Sequence, residues 1–369
     1  MFEHCFPRGE EGVPPLHLSV VYRYLGEPGD PLKEVKYGRE NNPTVMLLER
    51  VLSCIEESQY GLAFNTGMAA LSAILHEASS NRLRVALPRL VYGSTRQLAS
   101  KLLGDRLVLA GPPWGELLAV IDKVDMVIVE TMANPTLLVP PLDELAKECS
   151  STACRLVVDN TFATPVIYKP SRVGAVVVES MTKYMAGHND VLGGYVGVLE
   201  EDYWRKLWDW RRLLGGIIQP IDAYLAYRGL RTLEIRVRRV SETAMRLAAW
   251  LEESGLVERV YYPGLRSHPD HHNAARLFNG LYGGVVSFDV GSKERAKTVL
   301  RRLGSILPSP SLGAVDSLAS YPYTSSHRWL SDEEKKELGI TPGLIRLSVG
   351  LEDFEYLRSE LSRVLGSPG

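Results

Sequence analysis

Apolar residues recur at helical spacing over residues 44–58, at Val45, Leu48, Val51, Leu52 and Ile55, which predicts an amphipathic helix. A short apolar run at 61–65 reads as a strand, and Thr66-Gly67 opens an Ala- and Leu-rich segment that predicts a second helix through Glu77. Short, nearly continuous apolar runs follow at 84–87, 106–110, 126–130, 155–159, 175–180 and 195–199. Such runs are what strands buried on both faces look like. Helical periodicity falls between several of them, at 91–103 and 142–149. The alternation predicts an α/β fold, with a mainly parallel sheet between helices and ligands at the carboxyl ends of its strands.

The two ends of the chain read differently. Over the first forty-odd residues Pro, Gly and charge mix without periodicity, as in Gly9-Glu-Glu-Gly-Val-Pro-Pro and Gly26-Glu-Pro-Gly-Asp-Pro, so this stretch reads as an arm. Past Pro220 an amphipathic run at 232–253 leads to the turn Tyr262-Pro-Gly264, and strand and helix signals follow at 284–290, 292–303, 344–349 and 353–365. The organisation expected is an N-terminal arm (1–43) reaching a neighbouring subunit, a first domain (44–231) and a smaller C-terminal α/β domain (232–369). A length of 369 residues is more than one hydrophobic core usually serves.

Composition narrows the partners. Hydrophobic residues at 45% and charged residues at 23% are globular proportions, and a net charge of −2 gives no general attraction to nucleic acid or anionic lipid. No stretch approaches the ~18 consecutive apolar residues of a membrane span, which favours a cytoplasmic protein without membrane partners. Cys5, Cys54, Cys149 and Cys154 are scattered, without the spacing of a zinc site or disulfide framework, as suits a reducing compartment. His268, His271 and His272 lack an accompanying array of ligands and read as surface residues of a Pro-containing loop, so no metal is expected. The basic run Arg231, Arg236, Arg238, Arg239 and Arg246 has Glu234, Glu242, Glu252 and Glu253 as partners, and reads as a solvated or intersubunit face.

The chemistry concentrates at two strand ends. Asp159 closes the apolar run at 155–159, and Lys183 follows the run at 175–180. A lysine there can hold an aldehyde cofactor covalently, while a neighbouring carboxylate keeps a pyridine nitrogen protonated; pyridoxal phosphate needs that pair. Thr66-Gly67-Met68 begins a helix whose free amides suit a phosphate, with Ser180 and Thr182 as further donors. No strand leads into G-x-G-x-x-G, and no G-x-x-x-x-G-K-[ST] loop is present, which demotes nicotinamide and nucleotide-triphosphate chemistry. Lys183 and Asp159 are both retained, which also argues against a non-enzymatic regulatory module.

Several segments in one order resemble the pyridoxal-phosphate-dependent enzymes of cysteine and methionine metabolism. They are Tyr37-Gly-Arg39-Glu-Asn-Asn-Pro-Thr44, Val91-Tyr92-Gly-Ser-Thr95, Glu130-Thr-Met-Ala-Asn134-Pro-Thr136, Val158-Asp-Asn-Thr-Phe162, Thr182-Lys-Tyr-Met-Ala-Gly-His188 and Ile345-Arg-Leu-Ser-Val-Gly-Leu-Glu-Asp353. The resemblance implies the fold type I transferase architecture and pyridoxal 5'-phosphate, with Lys183 as its covalent anchor, Asp159 on the ring nitrogen and Tyr92 stacked on the ring. It places Asn134 near the phenolic oxygen, and Gly67, Met68, Ser180 and Thr182 on the phosphate. Tyr37 and Arg39 match a pair that reaches a neighbouring subunit's phosphate; Arg346 matches the clamp on the substrate α-carboxylate, with Ser311 close by. The assembly implied is a homotetramer made of two dimers, acting on a small amino-acid substrate. The activity implied is γ-elimination or γ-replacement in transsulfuration, as by cystathionine γ-lyase or γ-synthase. Methionine γ-lyase, O-acylhomoserine sulfhydrylase and cystathionine β-lyase remain the alternatives. Ser94 stands where methionine-cleaving members have cysteine, and Pro310 where some cystathionine-handling members have glutamate.

Overall fold

The computed structural model describes residues 2–7, 12–26 and 29–366; the rest of the two Pro- and Gly-containing arm stretches, at 8–11 and 27–28, lies outside the described residues. Seven strands form the first sheet: β1 (Tyr60–Phe64), β2 (Val85–Leu87), β3 (Leu107–Leu109), β4 (Met126–Glu130), β5 (Arg155–Asp159), β6 (Val176–Glu179) and β7 (Gly194–Val198), in the order β1-β7-β6-β5-β4-β2-β3. Strands β6, β5, β4, β2 and β3 are parallel, and β7 runs antiparallel to both its neighbours. The β4–β5 register sets Glu130 opposite Asp159, so two acids end adjacent strands.

Capping explains where the first helices begin. Helix α1 (Pro43–Glu56) starts behind Asn42, whose side chain accepts from Thr44 N, with Pro43 in the first turn where a missing N–H costs nothing. Helix α2 (Gly67–Ser80) starts behind Thr66, whose hydroxyl accepts from Ala69 N. Helix α3 (Gly93–Leu103) follows Tyr92 without a side-chain cap. The apolar faces of α1 and α2 close over the sheet: Val45, Leu48, Leu52 and Ile55 in one cluster, Ala70, Leu71, Ile74 and Leu75 in another.

A second, five-stranded sheet holds β8 (Arg259–Tyr261), β9 (Val285–Asp289), β10 (Leu307–Pro308), β11 (Leu318–Ser320) and β12 (Leu344–Ser348), ordered β10-β11-β12-β9-β8. The helix Leu233–Glu253 joins the two bodies. Leu233, Val237 and Val240 pack with the first sheet's core, whereas Ala244, Leu247 and Leu251 pack with the second's. Two further helices, Glu201–Leu214 and Pro220–Leu230, fill the stretch before it, where the sequence reading placed no element. No helix among the described residues is long and apolar enough to cross a membrane.

The first residues of the chain, read from the sequence as an arm outside the core, contribute to the core. Phe2 and Cys5 are buried in the core cluster that contains α1, and Phe6 packs edge-on to Tyr227. Cys5 and Cys54 form a disulfide across 49 residues of sequence, which spacing alone did not announce because the pair meets only once α1 has folded. Beyond it the arm is thinly covered: Val13, Leu18, Val20, Val21 and Leu25 are each more than half exposed.

Closing a loop of this length typically adds ~2–4 kcal/mol of stability. We therefore expect Cys54→Ala, or reduction of the native chain, to lower the denaturation midpoint and expose residues 2–6 to proteolysis. Reduction should leave the Cys54→Ala variant unchanged; chemical denaturation with and without dithiothreitol checks both.

Candidate active site

The carboxyl ends of β4, β5 and β6 bring the predicted residues together. Lys183, in the turn after β6, is largely buried and donates from Nζ to Ser311 Oγ at 2.9 Å. The backbone carbonyl of the same serine accepts from Arg346 of β12 at 2.7 Å, and the other terminal nitrogen of Arg346 donates to Asn134 Oδ1 at 2.8 Å. Ser311 therefore ties the lysine of one sheet to the arginine of the other. Its φ of 92° is a conformation L-residues rarely hold without support, the kind of strain found at functional sites.

Burial sets the proton affinities. Lys183 is brought down to about 8, first by desolvation and then by the neighbouring Arg346 charge, with Asp159 opposing. Arg346 is brought down to about 10 by burial. The Asp159 carboxyl is raised by burial, against two hydrogen bonds from Thr161 and the charge of Lys183. Both bonds fall on Oδ1, at 3.1 Å from the Thr161 amide and 2.5 Å from its hydroxyl, and that hydroxyl in turn accepts from Ser180 N at 2.8 Å. Thr161 thus braces the ends of β5 and β6 against each other.

Gly67 explains how the helix α2 terminus reaches this point. A Cβ there would sit 3.0 Å from Ser180 Cβ and 3.2 Å from its Oγ, so glycine lets the leading amides of α2 lie against Ser180 without displacing it. Gly67 and Met68 open the helix, and no preceding turn accepts from their amides. Thr182 is bonded to both Gly193 N, at 3.1 Å, and Gly193 O, at 3.3 Å, which fixes its hydroxyl in the turn. Tyr37 and Arg39 lie elsewhere: the Arg39 guanidinium covers the Tyr37 ring and donates to the Arg212 carbonyl at 2.6 Å.

Four supporting groups escaped the sequence reading. Glu130 accepts from Tyr92 N at 2.8 Å and from Asn134 N at 3.3 Å, so one carboxyl fixes two site residues; burial and then the Asp159 charge push it up to about 8. Arg236, expected on a solvated or intersubunit face, is buried instead. It donates to the carbonyls of Tyr184 at 2.6 Å, Met185 at 3.3 Å and Gly229 at 2.8 Å, gripping the turn after Lys183. Gly187 makes room, since a Cβ there would fall 2.1 Å from that guanidinium. His268, expected at the surface, is likewise buried and bonded to the Thr136 carbonyl at 3.1 Å. The fourth group is the pair Glu56 and Glu179, two fully buried carboxyls that face each other; Glu179 ends β6. The acid at 179 lies only four positions before the lysine in an apolar strand, and that position was the available signal for it.

A partly buried amine of lowered proton affinity, an acid at the adjacent strand end, and a glycine-opened helix beside both make up the donor set that suits pyridoxal phosphate, in the sheet arrangement of a fold type I enzyme. The chain matches the model of the Cys/Met metabolism PLP-dependent enzymes over residues 7–366 and belongs to that family, so it is a pyridoxal-phosphate-dependent lyase or transferase. It is 36% identical to the cystathionine γ-lyase of Bacillus subtilis (strain 168) over 89% of this chain and 88% of that one. To the cystathionine β-lyase of the same organism it is 34% identical, over 97% and 92%. Among solved structures, the cystathionine γ-synthase of Xanthomonas oryzae pv. oryzae, in complex with aminoacrylate and cysteine, superposes with a TM-score of 0.88 at 33% identity, covering 96% of this chain and 92% of that one.

The Glu56–Glu179 pair yields a pH prediction. Burial pushes Glu56 up to about 8 from an ordinary 4.5, and burial with the facing Glu56 holds Glu179 well above it; Lys169, Glu57 and Asp159 supply the surrounding charges. An unfolded chain releases these protons in the ordinary carboxyl range, whereas the folded one keeps them. Stability from this pair is therefore full in acid and declines as pH rises from 4.5 toward about 8. Glu179→Gln should flatten that decline, so that the variant melts higher than the native chain at about pH 9 and no higher at about pH 5. Calorimetry across the range measures it.

Proposed function

We propose that this enzyme carries out γ-elimination or γ-replacement on cystathionine or an activated homoserine, as a cystathionine γ-lyase or γ-synthase. The observation that carries the reading is the Lys183–Ser311–Arg346 arrangement, which puts a largely buried amine and a carboxylate-binding guanidinium on either side of one serine. A guanidinium binds a carboxylate through charge-assisted hydrogen bonds, so Arg346 orients the amino acid by its α-carboxylate with Cα toward Lys183. When bound, pyridoxal phosphate supplies an aldehyde for the substrate amine and a ring that accepts electrons from Cα. Lys183, Asp159, Tyr92, Asn134, Gly67, Met68, Ser180 and Thr182 would hold it.

Within that frame Lys183 does the proton work. An amine brought down to about 8 has an appreciable neutral fraction near neutrality; Nζ can take the proton from Cα, would deliver it elsewhere on the cofactor-bound substrate, and, neutral again, can take the one from Cβ that γ-chemistry requires. Tyr92, fixed through its backbone by Glu130, passes a proton to the departing sulfur or oxygen. A cleft of about 420 Å³ opens beside Ser311, lined by Thr182, Asp190, Leu192, Ser309 and Pro310 among others, and is the natural room for the distal part of a long substrate.

The exposed apolar arm, with Tyr37 and Arg39 at its end, supports an assembly in which these two residues complete the partner's site in a tetramer of two dimers. The arm (1–43), a catalytic domain (44–231) and a substrate-recognition domain (232–369) would be its parts.

Lys183→Ala should reduce turnover by more than about 10³-fold and abolish the yellow cofactor band while preserving the fold. Retention of a reducible lysine-linked cofactor would count against the anchor. Incubation with cystathionine, O-acylhomoserine plus cysteine, and methionine decides the reaction: cysteine with 2-oxobutanoate marks the lyase, cystathionine the synthase, and pyruvate with homocysteine a β-lyase. Co-assembled Arg39→Ala and Lys183→Ala subunits, each inactive alone, should regain part of the activity; no recovery would rule out sites shared between subunits.

A further inference from the structure

We propose that His327 binds the substrate α-carboxylate together with Arg346, its Nε2–H donating to one carboxylate oxygen while the guanidinium takes the other. The proposal rests on Arg346 being the carboxylate clamp, and adds to that reading a second, uncharged donor.

His327 is 2% exposed, in the segment that leads from β11 toward β12. Backbone bonds from His327 N to Pro322 O and from Leu330 N to His327 O, both 3.2 Å, fix the turn that carries it. Ser326 Oγ lies 2.8 Å from Nδ1; when this hydroxyl donates, the proton of the neutral ring sits on Nε2. Burial and the Arg346 charge hold the ring at about 4, so it is neutral near pH 7, and the charge of Lys335 acts in the same direction. The Asn134 carbonyl lies close enough to the ring to favour protonation, yet Nε2 makes no hydrogen bond to it or to any other described residue.

Arg346 Nε is buried and unpartnered as well, while its two terminal nitrogens donate to Asn134 and Ser311. Two buried nitrogens of neighbouring side chains are thus left without acceptors. Unmet buried donors cost about 1–3 kcal/mol each, so a site that keeps them is built for a ligand that supplies acceptors. The ligand that fits is anionic, because the buried Arg346 guanidinium acts on the ring as a positive charge and both open nitrogens are donors. A carboxylate satisfies both at once with its two oxygens.

The test is calorimetric titration of the holoenzyme with L-alanine, which has the carboxylate but no leaving group, and with ethylamine, which has neither. His327→Leu should weaken L-alanine ~10- to 100-fold, the loss of a hydrogen bond to a charged group, and leave ethylamine unchanged. His327→Gln, which keeps an N–H donor, should recover much of the loss, and with the true substrate His327→Leu should raise KM more than it lowers kcat. The cofactor absorbance and melting temperature of each variant establish that it is folded and loaded. If Arg346→Lys weakens L-alanine and His327→Leu does not, the His327 proposal fails while the arginine clamp stands. If neither substitution discriminates the two ligands, the clamp reading itself is wrong. Equal losses for L-alanine and ethylamine in His327→Leu, without recovery in His327→Gln, would reduce His327 to packing.

Discussion

Lys183 and Arg346 are both cations, both largely removed from water, and they meet across one serine. Water screens such a pair cheaply; a protein interior does not. The structure answers with the strand ends of the first sheet. Asp159 opposes the loss of the lysine's proton, Asn134 takes one arm of the guanidinium, and the Ser311 carbonyl takes the other. Most of what surrounds the site follows from holding these charges at fixed separation. Thr161 braces two strand ends, Glu130 fixes two loops, and Arg236 grips the turn behind the lysine.

Much of this was legible in the sequence where the signal is local. The apolar runs that became β4 and β5 need no partner to be recognised, because a strand buried on both faces is apolar at every position. Asp159 and Lys183 border such runs and Arg346 lies inside the run of β12, so their convergence follows once the sheets form. The helices Glu201–Leu214 and Pro220–Leu230 were missed for a local reason as well. The first is rich in Trp, Arg and Asp, and its buried residues Tyr203, Trp204, Leu207 and Arg211 include a cation, which blurs the apolar stripe.

What the sequence hid is pairing at a distance. Arg236 lies in an Arg-rich helix and is indistinguishable there from its exposed neighbours; only the carbonyls of Tyr184, Met185 and Gly229 single it out. Cys5 and Cys54 have no spacing signature because folding of α1 creates their proximity. Glu56 and Glu179 look like ordinary surface acids when read one at a time. In the fold they face each other, and the retained protons are a property of the pair of positions.

The helix Leu233–Glu253 gives half of its apolar face to each core. Such a helix works as a common spine. Stripping away the second sheet would leave Ala244, Leu247 and Leu251 facing solvent, and the same event would loosen Val240 and Val237, one and two turns back, which wall the first core. Melting of either body would strip cover from the other along this helix, and a fragment cut at the sheet boundary would inherit a raw apolar edge instead of a finished surface.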